Sequence, residues 1–119
     1  MRFTETRPKG ASIIDVELRE DERGFFARTF CVREFREHGL NTKFAQCHTS
    51  YNRAPGTLRG MHYQASPAAE SKLVRCTSGA IYDVIVDLRT NSPTYREHIA
   101  VELNAENRRQ LYIPEMFAH

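Results

Sequence analysis

Apolar and polar residues alternate along this chain more often than they recur at helical spacing. In residues 12–18 the apolar positions Ile14, Val16 and Leu18 fall on every second residue, which predicts a strand with one buried face. Asp21-Glu22-Arg23-Gly24 reads as a turn, and residues 25–30 resume an extended run. The best short helix is predicted over 32–38, closed by Gly39. After it come short β-like segments over 43–51, 57–64, 71–77, 80–88, 98–103 and 109–113. Ser78-Gly79 and Asn91-Ser92-Pro93 supply turns between some of them.

Many short strands at regular spacing, with one short helix, predict an all-β antiparallel sandwich or barrel. The clearest strand is 80–88. Tyr82, Val84, Val86 and Leu88 face one way, and Ile81, Asp83, Ile85 and Asp87 the other. Two acids on a half-apolar face suit the lumen of a small barrel that holds a polar ligand. The chain stops at Pro114-Glu115-Met116-Phe117-Ala118-His119 without a closing strand, cap or polar tail, so the barrel is expected to be incomplete at that end.

A chain of 119 residues is the size of one domain, so 1–119 is read as a single one. The net charge of +2 is too mild for a dedicated nucleic-acid binder, and the basic surplus lies in the first half. It suits a site that holds one or two phosphates with a few arginines. No apolar stretch reaches the length of a membrane span, and the opening MRFTETRPKG has no apolar region of the signal-peptide kind. Cys31, Cys47 and Cys76 are odd in number and form no CxxC, so the expected setting is the reducing cytoplasm.

Candidate chemistry is densest in Gly56-Thr57-Leu58-Arg59-Gly60-Met61-His62-Tyr63-Gln64. Strict alternation puts His62 with Leu58, Gly60 and Gln64, and Arg59 on the opposite face. Both reach one ligand only if the strand kinks between them, and Gly60 is the residue that permits this. The plainer alternative is a solvated edge strand. In Ser71-Lys72-Leu73-Val74-Arg75-Cys76, Lys72 alternates with Val74 and Cys76 and is expected to face inward. Across a hairpin at Ser78-Gly79, Asp83 would be its diagonal neighbour. Lys72, Asp83 and His62 would then handle protons together, or Lys72 and Asp83 would be a structural ion pair. Five histidines raise the question of a metal, but His62-Tyr63-Gln64 lacks the second histidine of a His-x-His pair, so no metal site is expected.

Several motifs together resemble one family. They are Asp21-Glu22-Arg23-Gly24-Phe25-Phe26, Gln46-x-x-x-Ser50, Leu58-Arg59-Gly60-x-His62-Tyr63-Gln64, Lys72-Leu73-Val74-Arg75, Asp83-Val84-x-Val86-Asp87-Leu88-Arg89, Ser92-Pro93-Thr94 and Ile113-Pro114-x-x-Phe117-Ala118-His119. In this order they are similar to the dTDP-4-dehydrorhamnose 3,5-epimerases. The resemblance implies a cupin-like jelly roll, a homodimer sharing strands, a nucleotide-diphosphate sugar as substrate, and no cofactor. It implies His62 as general base, Lys72 as the cation at the enolate oxygen and Asp83 as a buried acid beside it. It implies Arg23 and Arg59 at the diphosphate and the site around it, with Gln46 and His119 at substrate positions. The reaction implied is epimerisation at C3 and C5 of a dTDP-4-keto-6-deoxyhexose, by proton abstraction next to the C4 ketone.

The chain departs from the family pattern in places. The family's proton-donating tyrosine and the acid that orients the base fall beyond His119, and Tyr63, Tyr82 and Tyr112 do not match that tyrosine. The chain alone is therefore expected to be inactive or nearly so. Gln46-Cys47-His48-Thr49-Ser50 replaces a Gln-Asp-Asn-x-Ser pattern, Arg28 replaces an acid, and Met116 replaces a glycine. These changes keep two alternatives open: a single-carbon epimerase or keto isomerase on a related nucleotide sugar, and a sugar-nucleotide-binding barrel without chemistry.

Overall fold

Alternating segments become strands where a neighbour completes their hydrogen-bond ladder, and the computed structural model describes residues 1–119. In chain order the elements are β1 (Arg2–Glu5), β2 (Ser12–Asp15), β3 (Leu18–Asp21), β4 (Gly24–Ala27), α1 (Val32–Glu37), β5 (Lys72–Arg75), β6 (Ala80–Asp87), β7 (His98–Asn104), β8 (Gln110–Ile113) and β9 (Phe117–Ala118). All pairings are antiparallel. One sheet has the order β1-β2-β8-β5, a second β7-β6-β9, and β3-β4 forms a separate hairpin.

Strand β8 shows how the layers are built, because all of its residues are buried. Leu111 and Ile113 point inward, toward Ala11, Ile85, Val101, Leu103 and Phe117, in the core between the two larger sheets. Tyr112 points outward into a second core with Ile14 and Phe35. The period of two along β2 divides its residues in the same way, with Ile13 toward the first core and Ile14 in the second.

Helix α1 has six residues, too few to be stable alone. It is held by Phe35, which is fully buried and meets Phe3 edge-on with ring centres 5.4 Å apart and Phe30 at 4.8 Å. Such contacts add about 0.5–1.5 kcal/mol each beyond burial. Gly39 ends the helix with φ +68°, as its position predicts.

Three expectations fail. The strand expected over 12–18 breaks after Asp15, and Leu18 opens β3 in a separate hairpin. Residues 43–51 and 57–64 form no strand. Their sequences alternate, but across 41–71 the backbone hydrogen bonds are limited to Ala68 on Ala65 and a reciprocal pair between His62 and His119. A strand without a paired neighbour has no ladder. The hairpin across Ser78-Gly79 also fails. Strand β5 pairs with β8, and β6 pairs with β7 and β9, so the turn links two sheets. The Gly79 carbonyl is taken by the amide of Ala105, which draws the turn toward β7. The antiparallel sheets packed face to face, with one short helix, are a cupin-like jelly roll.

Candidate functional site

The period of two along β6 turns Asp83, Ile85 and Asp87 inward, and all three are buried. Water cannot solvate these carboxylates, so protein groups must. Asp87 is fully served. Its Oδ1 accepts from the Arg89 amide and Nε, and its Oδ2 from Arg89 Nη2, the Ser92 hydroxyl and the Thr94 hydroxyl. Burial pushes this carboxyl up, but the Arg89 guanidinium, the Ser92 hydroxyl, the Arg89 amide and the Thr94 hydroxyl outweigh it. The group is held well below the usual carboxylate range.

Asp83 is different. It is 8% exposed, its Oδ1 lies 3.3 Å from His119 Nδ1, and its Oδ2 is buried with no partner. In the tautomer that donates to Asp83, Nδ1 of His119 carries the proton and Nε2 is left as an acceptor. The open Oδ2 is a place in this interior where a donor would be received at a gain.

His119 reaches this position because β9 pairs with β6 through Val86 and Ala118, and His119 is the next residue. Its backbone then bonds to the chain around His62. The His62 amide donates to the His119 carbonyl at 2.7 Å, and the His119 amide donates to the His62 carbonyl at 3.1 Å. Two bonds exchanged between one pair of residues are a single rung of an antiparallel ladder. Gly60 makes this approach possible. With φ +101°, a β-carbon there would stand 2.9 Å from the His119 carbonyl oxygen. No strand runs through Gly60 for it to kink; its left-handed backbone instead admits the His119 carbonyl.

The structure brings His62, His119 and Asp83 together, the first two through backbone and the last two through side chains. The His62 side chain is exposed. Lys72 pairs with Ile113 across β5 and β8 and so shares its inner face, as expected. Its partner is not Asp83, however, because β5 and β6 lie in different sheets. Lys72 Nζ is 3.7 Å from Glu70, a distance too long for a firm hydrogen bond. Arg23 sits on the β3–β4 turn, exposed and paired with Asp21 at 2.6 Å. Arg59 is exposed and donates to the Asn52 side chain and the Tyr51 carbonyl. Gln46 is exposed in the segment without strands. No three His, Cys, Asp or Glu side chains are grouped to hold a metal ion.

Sequence reasoning paired Asp83 with the wrong partner and assigned no role to the Asp87 cluster. A signal for the second existed: two short hydroxyl residues and an arginine follow a lumen-facing acid within seven positions. The contact between His119 and Asp83 depends on the register of β9 against β6, which no local pattern encodes.

The arrangement sets an exposed imidazole, the side chain suited to moving protons near neutral pH, beside a buried carboxylate–imidazole pair with an open acceptor. Comparison with known proteins places it among relatives. The family model described as dTDP-4-dehydrorhamnose 3,5-epimerase matches residues 5–119. The chain is 48% identical over 118 residues to a dTDP-4-dehydrorhamnose 3,5-epimerase of Methanothermobacter thermautotrophicus, covering 99% of this chain and 63% of that protein. It is similar to the crystal structure of the Bacillus anthracis dTDP-4-dehydrorhamnose 3,5-epimerase with TDP and PPi bound. There the TM-score is 0.94 and the identity 41%, over 99% of this chain and 67% of the other. It is also similar to a Legionella pneumophila dTDP-6-deoxy-D-glucose-3,5-epimerase in complex with dTDP-4-keto-L-rhamnose. There the TM-score is 0.89 and the identity 38%, over 99% and 62% of the two chains.

Proposed function

The chain belongs to the dTDP-4-dehydrorhamnose 3,5-epimerase family, and from that premise we propose that it carries the base side of an isomerase acting at C3 and C5 of a dTDP-4-keto-6-deoxyhexose. The product of that reaction would be dTDP-4-dehydrorhamnose. The observation that carries the reading is the rung between His62 and His119, laid beside a buried Asp83 with an open oxygen.

In this reading His62 takes the proton from the carbon next to the C4 ketone, and the electrons left behind form an enolate. Lys72, loosely held by Glu70 on the inner face, turns its ammonium toward the enolate oxygen, where a fixed cation lowers the barrier. The sugar supplies a donor to the open Oδ2 of Asp83, and His119 presents Nε2 to a substrate hydroxyl. Arg23 and Arg59, both at the surface, hold the diphosphate, and Gln46 contacts the substrate. No redox step or bound cofactor enters this chemistry.

Inversion needs a second proton delivered from the opposite face of the ring. The Tyr112 hydroxyl accepts from the amide of Asn41 in the second core, away from the inner face, and Tyr82 projects from the outer face of β6. We assign the donor to residues outside 1–119, since the chain spans less than two-thirds of the Methanothermobacter enzyme. A second copy covering the exposed side of His62, in a cytoplasmic homodimer, would exclude water from the site. No helix is long and apolar enough to cross a membrane.

The test is solvent exchange. With dTDP-4-keto-6-deoxyglucose in heavy water, the chain should wash deuterium into C3 and C5 slowly and without net inversion. His62→Ala should lower that rate by about 10²-fold or more. Exchange that survives the substitution removes His62 as base. Deuterium at C3 alone identifies a single-carbon epimerase, and binding without exchange identifies a barrel that holds the sugar nucleotide and does nothing to it.

A further inference from the structure

The Asp87 cluster does more than satisfy a buried acid, because Arg89 couples it to the strand that ends at His119. The Arg89 guanidinium makes two charge-assisted hydrogen bonds to Asp87, donates to the Lys9 carbonyl, and stacks over the ring of Phe117 at 4.8 Å. Phe117 opens β9 and lies opposite Asp87 in the ladder. Just before it, the Leu88 amide donates to the Met116 carbonyl. The short β9 is thus clamped at its start by one planar cation, fixed at its far edge by a buried carboxylate. Two residues later stand the His119 ring on Asp83 and the backbone rung to His62.

β9 has only two residues, and two rungs cannot hold a strand in register against fraying. A stacked guanidinium can, because its plane is fixed by the fork of bonds to Asp87. We propose that Arg89 is a positioning residue for the proposed site: acting through Phe117, it sets the register of β9 and so orients His119 against Asp83 and His62 beside them. The inference rests on the functional reading for its relevance to catalysis, but not for its geometry.

Arg89→Lys keeps the charge and loses both the fork and the flat face. Phe117→Leu keeps an apolar side chain and loses the ring. Should Arg89→Lys fail to fold, Phe117→Leu carries the test. Phe35→Leu, in the other core, is the control for loss of stability alone. The first readout is the His119 tautomer, by long-range proton–nitrogen correlation in the histidine-labelled chain at a pH where the ring is neutral. The second is hydrogen exchange at the His62 and His119 amides. The expected result is that wild type and Phe35→Leu hold the proton on Nδ1. Arg89→Lys and Phe117→Leu should shift the ring toward the mixed tautomers of free imidazole and speed the two amides by about tenfold or more.

An unchanged tautomer in both Arg89→Lys and Phe117→Leu overturns the proposal, and so does the same shift in Phe35→Leu. Deuterium exchange into the sugar should fall in step with the tautomer change. If the wild-type chain shows no sugar exchange, the functional reading fails by itself, while the imidazole readout still decides the role of Arg89.

Discussion

Replacing Asp87 by asparagine tests the energetic reading of the inner face most sharply. The carboxylate is fully buried and accepts five hydrogen bonds, three of them from Arg89. The substitution Asp87→Asn keeps the shape but exchanges one acceptor for a donor. On the Oδ2 side the new amide would face Arg89 Nη2, which cannot turn round, and two hydroxyls, which can. On the Oδ1 side it would face two nitrogen donors. The cheaper arrangement still loses one charge-assisted bond and sets donor against donor. Breaking a buried pair from one side costs about 3–5 kcal/mol, and Arg89 keeps part of its surface in water, so about 3 kcal/mol is expected. With a urea slope of about 1.5 kcal/mol/M, the unfolding midpoint should fall by about 2 M. The pH dependence supplies the second half of the test. Asp87 ionises at lower pH in the folded chain than in the unfolded chain. Its stabilisation is therefore complete above the unfolded carboxylate range, near pH ~4, and drains away as pH falls below it. The variant lacks that loss, so the two midpoints should draw together from pH 5 to pH 3 in urea titrations. A midpoint shift under about 0.5 M at pH 7, or a gap that stays constant down to pH 3, would refute the reasoning.

Two further substitutions probe the approach to His119. Gly60→Ala places a β-carbon 2.9 Å from the His119 carbonyl oxygen at a φ of +101°, a local cost of about 1–3 kcal/mol. It should unprotect the His62 and His119 amides in hydrogen exchange while leaving those of β6 and β7 unchanged, and retained protection would show that the rung does not depend on Gly60. Met116 sits in the turn before β9 with φ +61°, a left-handed conformation that glycine adopts without strain. Met116→Gly should therefore raise stability by about 0.5–1 kcal/mol, seen as a higher thermal midpoint, and a lower midpoint would mean that the half-buried side chain outweighs the strain.

Much of the fold is legible in the chain because alternation reports faces directly. The pattern over 80–88 turns Ile81, Asp83, Ile85 and Asp87 to one side, and β6 buries the last three of these. The helix over 32–38 and its closing Gly39 appear as α1 with one residue fewer. What alternation does not report is whether a neighbour exists. Residues 43–51 and 57–64 carry the pattern of strands and lack the ladder, while Arg2–Glu5, too short to show a pattern, becomes β1 because Phe3 falls opposite Ile14. The inward facing of Lys72 and Asp83 is legible, and their pairings are not. Asp83 and Lys72 both face inward as expected, but a turn that crosses between sheets separates them, and the partner of Asp83 is a histidine 36 positions away.

The two inward carboxylates of β6 are served very differently by the chain around them. Asp83 and Asp87 share a face of the same strand, so alternation alone treats them alike. The difference lies in what the next few residues supply. Asp87 is followed by Arg89, Ser92 and Thr94, which fold back and use every lone pair it has, and a carboxylate so saturated has nothing left to offer a substrate. Asp83 is followed by Val84 and Ile85, which supply no donor, so its one contact comes from the far end of the chain and one oxygen stays open. A saturated acid holds the clamp on β9, and an open acid waits at the end of it. The stable pair can therefore be rigid without closing the site, and the site can be unsatisfied without loosening the fold, because the cost of the open oxygen is borne by a strand that the neighbouring carboxylate has already fixed.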